Sequence, residues 1–475
     1  MRPPFTHFLM LLLPCLLAAC AMGPNYERPT VDTPPDWRWK KAEPRDAEPK
    51  GPWWEKFNDP ALNQLQADAA LGNQDLKAAL ARIDQSRAQA RVSQADFFPQ
   101  LSTSPAWQRY RTSGNTASRG GFPNSSTTAN DMSIPFDLSY EIDLWGKVRR
   151  GFEAARNQML AQTAAYQNVL FTLQSNIAST YYQIRAVDRE INLLEQAVQL
   201  RQDSVALFQA RFDAGYTNEL DVTSTKTVLA SAKAELADAK RRRAVLQNAL
   251  AVLSGRAPSQ FDLPPALVSI DPPQVSPGLP SELLERRPDV AEAERILAAR
   301  NAEIGVAYAA FFPSIRLTAQ GGFQSAELRD LFEWESRIWS FGPSINLPIF
   351  SGGRLNADLK QTRAAYEEAV ATYRQTILVA FQETDDALAA LRFLSEQAEA
   401  QREAVTSARK SADISIARYR NGVVDYLDVI DAERTRLDNE LAVVRVDRER
   451  MISTILLIKA IGGGWSGPAT PNSVN

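Results

Sequence analysis

Few side chains in this chain could do chemistry, and where they fall is informative. The only histidine is His7, and the two cysteines are Cys15 and Cys20. Nothing beyond position 20 therefore offers an imidazole base, a His-based triad or most of the donor sets of a zinc enzyme. There is no GxSxG elbow, phosphate-binding loop or GxGxxG helix opening. With 53 basic and 56 acidic residues and a net charge of −3, the chain lacks the electrostatic footprint of a nucleic-acid binder. What remains is the thiol of Cys20 and a set of carboxylates at matched places, Asp221, Asp428 and Asp431. The expectation is a protein that is not an enzyme and holds no metal or other cofactor.

The setting of Cys20 assigns its chemistry. Arg2 supplies a positive start, and Phe8 to Ala19 is an apolar run of twelve residues. A membrane-crossing helix needs about 20 residues, so 1–19 reads as a secretory signal peptide. The stretch Leu17-Ala18-Ala19-Cys20 resembles the bacterial lipobox. Cleavage before Cys20 removes Cys15 and leaves an unpaired thiol in an oxidising compartment, an odd state that acylation resolves. Cys20 is expected to carry an S-diacylglycerol and an N-palmitoyl chain in contact with outer-membrane lipid. Ala21 and Met22 follow it, and neither is the Asp that retains lipoproteins at the inner membrane.

The elements that must position the carboxylates come as two copies. Ala95-Asp96-Phe97-Phe98-Pro99 matches Ala309-Ala310-Phe311-Phe312-Pro313, and ARFDAGYTNELDVTSTK (210–226) aligns with ARYRNGVVDYLDVIDAE (417–433). Gly215 then falls on Gly422 and Asp221 on Asp428. The domain reading is a signal peptide 1–19, a lipidated extended strap 20–60 and repeat 1 at 61–256. A proline-rich linker 257–280, repeat 2 at 281–462 and a tail 463–475 complete it. In each repeat a helix runs to the FFP site, because proline disfavours helix in the residue before it. β-like segments follow, then a long helix, a glycine turn and a returning helix, giving hairpins at 147–254 and 354–461. Val148, Phe152, Ala155, Met159, Tyr166, Val169, Leu173, Ile177, Ile184, Ile191, Leu194 and Val198 step mostly by three and four, a coiled-coil seam on a helix about 100 Å long.

Four segments, about 100–110, 132–144, 314–324 and 338–350, alternate apolar and polar residues. In the second, Ile134, Phe136, Leu138, Tyr140 and Ile142 share one face, against Ser133, Asp137, Ser139, Glu141 and Asp143. Alternation over about ten residues marks a transmembrane barrel strand. Trp107, Tyr110, Trp145, Trp334 and Trp339 fall near the strand ends, as interfacial girdle residues would. Pro105, Pro135, Pro343 and Pro348 stand against the reading, since proline removes a ladder donor. In lipid, each unpaired group on an open sheet edge costs several kcal/mol, so several chains must share one barrel. The fold class expected is a mixed α/β membrane protein, with two repeats giving four transmembrane strands and long antiparallel coiled-coil helices per chain. Segments 111–130 and 325–336 are its external loops.

The turns after the long helices should form the periplasmic tip. Gly215 and Gly422 suit a helix C-terminus followed by a turn. Asp221, Asp428 and Asp431 then open the returning helices, where the positive helix end favours a carboxylate. Asp428 and Asp431 sit three apart, on one helix face.

Taken together, the chain resembles the TolC-type outer-membrane efflux channel family, in its NodT-like lipoprotein branch. The marks are Cys20 followed by Gly23-Pro24-Asn25-Tyr26-Glu27-Arg28-Pro29 (Asp being more usual at Asn25) and WWEKFNDPALNQL at 53–65. The two FFP sites, Glu285-Arg286-Arg287-Pro288-Asp289-Val290 and Asp428-Val429-Ile430-Asp431-Ala432 complete them. The resemblance implies a homotrimer in the outer membrane of a Gram-negative bacterium. Four strands per chain would make a twelve-stranded β-barrel, continued by a periplasmic α-barrel. It further implies the passive exit duct of a tripartite pump, with a periplasmic adaptor protein and an inner-membrane RND-type transporter, for drugs or other small toxic compounds. Asp428 and Asp431 match the family's gate aspartates and Tyr419 its tip tyrosine, with Asp221 in the corresponding place of repeat 1. A trimer would gather the paired aspartates into a ring that repels anions and attracts cations. Where a family arginine follows the tip glycine by two residues, this chain has Val424. Asp289 is expected as a helix cap with a structural role. A protein-secretion duct and a lipid-anchored coiled-coil scaffold are the alternative readings.

Overall fold

The computed structural model describes residues 21–39, 51–113, 128–278 and 280–463. Cys20, the signal peptide, 114–127 of the expected first loop and the tail from 464 lie outside the described residues. Helices α1 (Pro60–Gly72) and α2 (Gln74–Ala95) precede strands β1 (Gln100–Thr103), β2 (Ala106–Arg111) and β3 (Thr128–Ile142). Helices α3 (Lys147–Asp213) and α4 (Glu219–Leu253) follow. The second repeat runs α5 (Pro288–Ala309), β4 (Ser314–Ser325), β5 (Arg337–Asn346), α6 (Arg354–Arg420) and α7 (Tyr426–Ala460). The copies match in length: 67 residues each for α3 and α6, and 35 each for α4 and α7. No helix among the described residues is long and apolar enough to cross a membrane.

The chain divides into two units that cut across the repeats. The first takes Met1–Pro29, Ile83–Gln162 and Ala293–Tyr373, and it holds the sheet. β3 pairs antiparallel with β1 and β2 on one side and with β4 on the other, and β4 pairs with β5. The β3–β4 seam therefore joins the two repeats. Its register sets Phe136 opposite Gly321, Leu138 opposite Ala319, Tyr140 opposite Leu317 and Ile142 opposite Ile315, so the apolar faces coincide. On the other face Gln320 Nε2 donates to Asp137 at 2.8 Å, Gln324 Nε2 to Asp131 at 2.8 Å, and Arg316 pairs with Glu141 at 3.5 Å. Leu101, Trp107, Phe136, Trp339, Phe341 and Ile345 stand exposed on the apolar face. A contiguous apolar surface of that kind suits lipid rather than water.

The prolines explain where the strands depart from expectation. The segment expected as one strand over 100–110 is two, β1 and β2, broken at Ser104-Pro105 while keeping one register against β3. Thr103 Oγ1 donates to the Pro135 carbonyl at 2.7 Å, so Pro135 turns its backbone polar side toward that break. Its missing N–H thus faces the one place where no ladder donor is required. On the opposite side a Cβ at Gly322 would meet the Ile134 carbonyl at 2.2 Å, so only glycine lets β4 approach there. β5 ends at Asn346, two residues before Pro348, not at 350. Trp145, just beyond the end of β3, stacks on Phe312 with centroids 4.8 Å apart and donates its indole N–H to the Pro313 carbonyl at 2.8 Å.

The start of the strap is built into the same unit. Met22 N donates to the Trp145 carbonyl at 2.9 Å, and Asn301 Nδ2 to the Pro24 carbonyl at 3.0 Å. The buried Arg150 donates to Asn25 Oδ1 at 2.7 Å, a bond that an Asp in place of Asn25 would turn into an ion pair.

The second unit takes Thr30–Arg82, Thr163–Glu292 and Arg374–Asn475 and carries the main core, including Leu62, Ile177, Tyr181, Ile184, Leu250, Ile270 and Met451. The linker is pinned rather than loose. Asp188, 2% exposed at its side chain, pairs with Arg185 at 3.0 Å and Arg243 at 2.6 Å. Those arginines in turn donate to the Pro264 and Leu263 carbonyls at 2.8 and 2.7 Å. Asp289 is not a cap: Pro288 is already the first helical residue of α5. Its carboxylate accepts the Val290 amide of the first turn at 2.9 Å and takes two bonds from Arg287, at 3.0 and 2.6 Å. Arg287 also reaches Glu383 at 2.7 Å and the Ala460 carbonyl at the end of α7 at 2.9 Å.

Candidate functional site

The site is the pair of turns, in the second unit, that reverse the chain between α3 and α4 and between α6 and α7. Gly215 and Gly422 take φ values of +78° and +71°, a region closed to most L side chains. Gly215 N donates to the Phe212 carbonyl at 2.9 Å and Tyr216 N to that of Arg211 at 2.8 Å. Gly422 N and Val423 N bond to Tyr419 and Arg418 in the same pattern, at 2.9 and 3.0 Å. Both are Schellman ends, in which a left-handed glycine lets the next amide satisfy a helix-end carbonyl.

Beyond the glycines the two turns differ. In repeat 1, Asn218 caps α4 by accepting from Asp221 N at 3.0 Å, and the Thr217 hydroxyl donates to the Asp221 carboxylate. In repeat 2, Asp425 holds the cap position without a side-chain cap bond, and Val424 stands where Thr217 does. The exposed carboxylates of Asp428 and Asp431 make no hydrogen bond or ion pair with the described residues. Asp221 and Asp428 fall in the first turn of their helices, as the third residues of α4 and α7, and Asp431 falls beyond it as the sixth of α7. The field of a helix end fades within its first turn, so Asp431 gains little from it.

Sequence reasoning found Tyr419 but missed what surrounds it. Arg211 Nη1 donates to the Tyr419 hydroxyl, with its guanidinium carbon 5.5 Å from the Tyr419 ring and 5.9 Å from that of Phe208. Phe208 packs on Tyr426 at 4.3 Å between centroids, and Tyr426 on Tyr419 at 5.2 Å. Burial pushes the Tyr426 phenol up from its ordinary pKa, with Ser204 opposing by a hydrogen bond. The cluster forms one end of a groove of about 670 Å³ floored by Leu200, Leu207, Val429 and Leu437. Glu433 on its wall is held above the ordinary glutamate range by burial, against the pull of Arg436 at 2.8 Å. The available signals were Arg211 in the last turn of α3, where a cation is favoured, and an aromatic at each of 208, 419 and 426.

A sheet with an exposed apolar face, followed by paired helices ending in polar turns, defines a membrane channel subunit. The family model of outer membrane efflux proteins matches residues 65–256 and 279–463. The chain belongs to that family. It is 35% identical over 472 residues to outer membrane protein OprJ of Pseudomonas aeruginosa, covering 98% of this chain and 97% of that one. With the cation efflux system protein CusC of Escherichia coli it shares 32% over 456 residues, or 94% and 96% of the two chains. The crystal structure of the Campylobacter jejuni CmeC outer membrane channel superposes with a TM-score of 0.89 at 26% identity, over 95% of this chain and 96% of that one. The fold expected from the sequence is thus the family's fold, and the chain is an efflux protein of the outer membrane.

Proposed function

We propose that three copies of this chain form one shared barrel and serve as the passive exit duct of a tripartite pump. Cys20 carries the acyl anchor. A periplasmic adaptor and an inner-membrane RND-type transporter complete the assembly, and the transporter supplies the energy and most of the selectivity. The protein does no chemistry of its own; drugs or other small toxic compounds pass through it.

The observation that carries this reading is the sheet. It has an apolar face, a polar face and two outer strand edges, β1–β2 and β5, without a partner among the described residues. A sheet of this width cannot curl onto itself in lipid, and copies joined edge to edge remove every open edge. The tip turns are then the narrow end, and Asp221, Asp428, Asp431 and Tyr419 the gate residues.

Electron microscopy of the detergent-purified full-length protein tests it. A threefold cylinder with a detergent belt at one end is the expected result. A monomer, or a rod without a belt, would return the chain to the scaffold reading.

A further inference from the structure

The two repeats meet at the tip through a basic side chain that sequence comparison does not single out. Arg211, in the last turn of α3, reaches the Tyr419 hydroxyl on α6. Its guanidinium also faces the rings of Tyr419 and Phe208 at 5.5 and 5.9 Å, a cation held over two aromatic faces. Phe208 is 3% exposed and locked against Tyr426 of α7. Tyr426 closes the circuit by packing on Tyr419. Four side chains from three helices therefore hold the end of α3 against the ends of α6 and α7.

One other polar contact crosses the same seam, between Ser204 of α3 and the Tyr426 hydroxyl of α7, and it leaves Tyr419 and α6 untouched. Asp221 is engaged by Thr217 of its own turn. Val424 has no polar side-chain atom to offer, and the carboxylates of Asp428 and Asp431 make no bond with the described residues.

We propose that Arg211 is the latch of the closed tip, a gating residue supplied by repeat 1 that restrains the helix ends of repeat 2. The proposal rests on reading the two turns as the narrow end of a channel. Because donor and acceptor belong to the same chain, each protomer carries its own latch, and releasing the latches adds rather than cooperates. Arginine suits the role because its planar head donates to the hydroxyl while stacking on the rings, which a lysine ammonium cannot do equally.

The test is planar-bilayer conductance of the purified full-length protein. Arg211→Met and Tyr419→Phe should each raise resting conductance severalfold. The double variant should exceed the stronger single by little, since both remove one contact. Arg211→Lys should fall between wild type and Arg211→Met. Tyr419→Phe keeps the ring and loses only the hydroxyl, so it remains informative if Arg211→Met fails to assemble. Wild-type conductance in both single variants, alongside raised conductance in Asp428→Ala/Asp431→Ala, would overturn the latch and leave the gate standing. If no form conducts, the channel reading fails and the latch with it.

Discussion

The two tip turns share a backbone and differ in how far their polar groups are satisfied. Both end a helix on a left-handed glycine with the same pair of hydrogen bonds. Repeat 1 then consumes its own polar groups: Asn218 caps, and Thr217 occupies Asp221. Repeat 2 replaces Thr217 by Val424, Asn218 by Asp425 and Ser224 by Asp431, and leaves its carboxylates facing solvent. A satisfied turn gains stability, whereas unpaired carboxylates exert a field on any charge that approaches them. The same local fold thus bonds its polar groups in one copy and leaves carboxylates exposed in the other.

The largest effect should come from removing that surface. Asp428→Ala combined with Asp431→Ala is expected to raise conductance at rest severalfold in bilayer recordings; unchanged conductance would remove both from the gate. Next is the conversion of repeat 1 to the pattern of repeat 2. Thr217→Val leaves the half-buried Asp221 without its donor and should cost about 1 kcal/mol in thermal or denaturant unfolding. The caps should respond unequally. Asn218→Ala should lose about 1 kcal/mol, while Asp425→Ala, which breaks no cap bond, should lose no more than a few tenths. Equal losses would mean that the two turns are not different in kind.

Smaller effects sharpen the contrast from the other side. Val424→Thr offers Asp428 the donor that Asp221 enjoys and should stabilise the turn by roughly 0.5 kcal/mol while weakening any cation preference. The smallest concerns Glu433, whose pKa is raised in the fold by burial. The folded chain then holds a proton that the unfolded chain has released, so this contribution is full at low pH. It is lost as pH rises from the ordinary glutamate range to the raised value. Glu433→Gln should gain on wild type over that window in unfolding measured across pH.

Much of this architecture is legible in one dimension. The alternation of Ile134, Phe136, Leu138, Tyr140 and Ile142 places the strand and its faces, and Pro99 and Pro313 follow the helices they terminate. Other features resist such reading. Arg185 and Asp188 look like surface charges on a long helix, yet they are buried where α3 crosses the core and pair with each other, Asp188 also with Arg243 and Arg185 with a linker carbonyl. The indole N–H of Trp145 finds the Pro313 carbonyl of the other repeat, a partner that local pattern does not name. Asp289 has the composition of a cap, and it sits one residue inside the helix, bound by Arg287 as well as by the Val290 amide.

By itself the sequence determined the helix and strand periods, the duplicated lengths and the two glycine turns. These follow from backbone sterics and side-chain spacing within a few residues, which neighbouring positions suffice to specify. Only the tertiary structure decided that β3 seals the repeats by pairing with β4, and that Arg211 finds Tyr419 from 208 residues away. A hydrogen bond or a buried ion pair is defined by its partner. Where that partner lies far along the chain, its identity is settled by packing and not by local pattern.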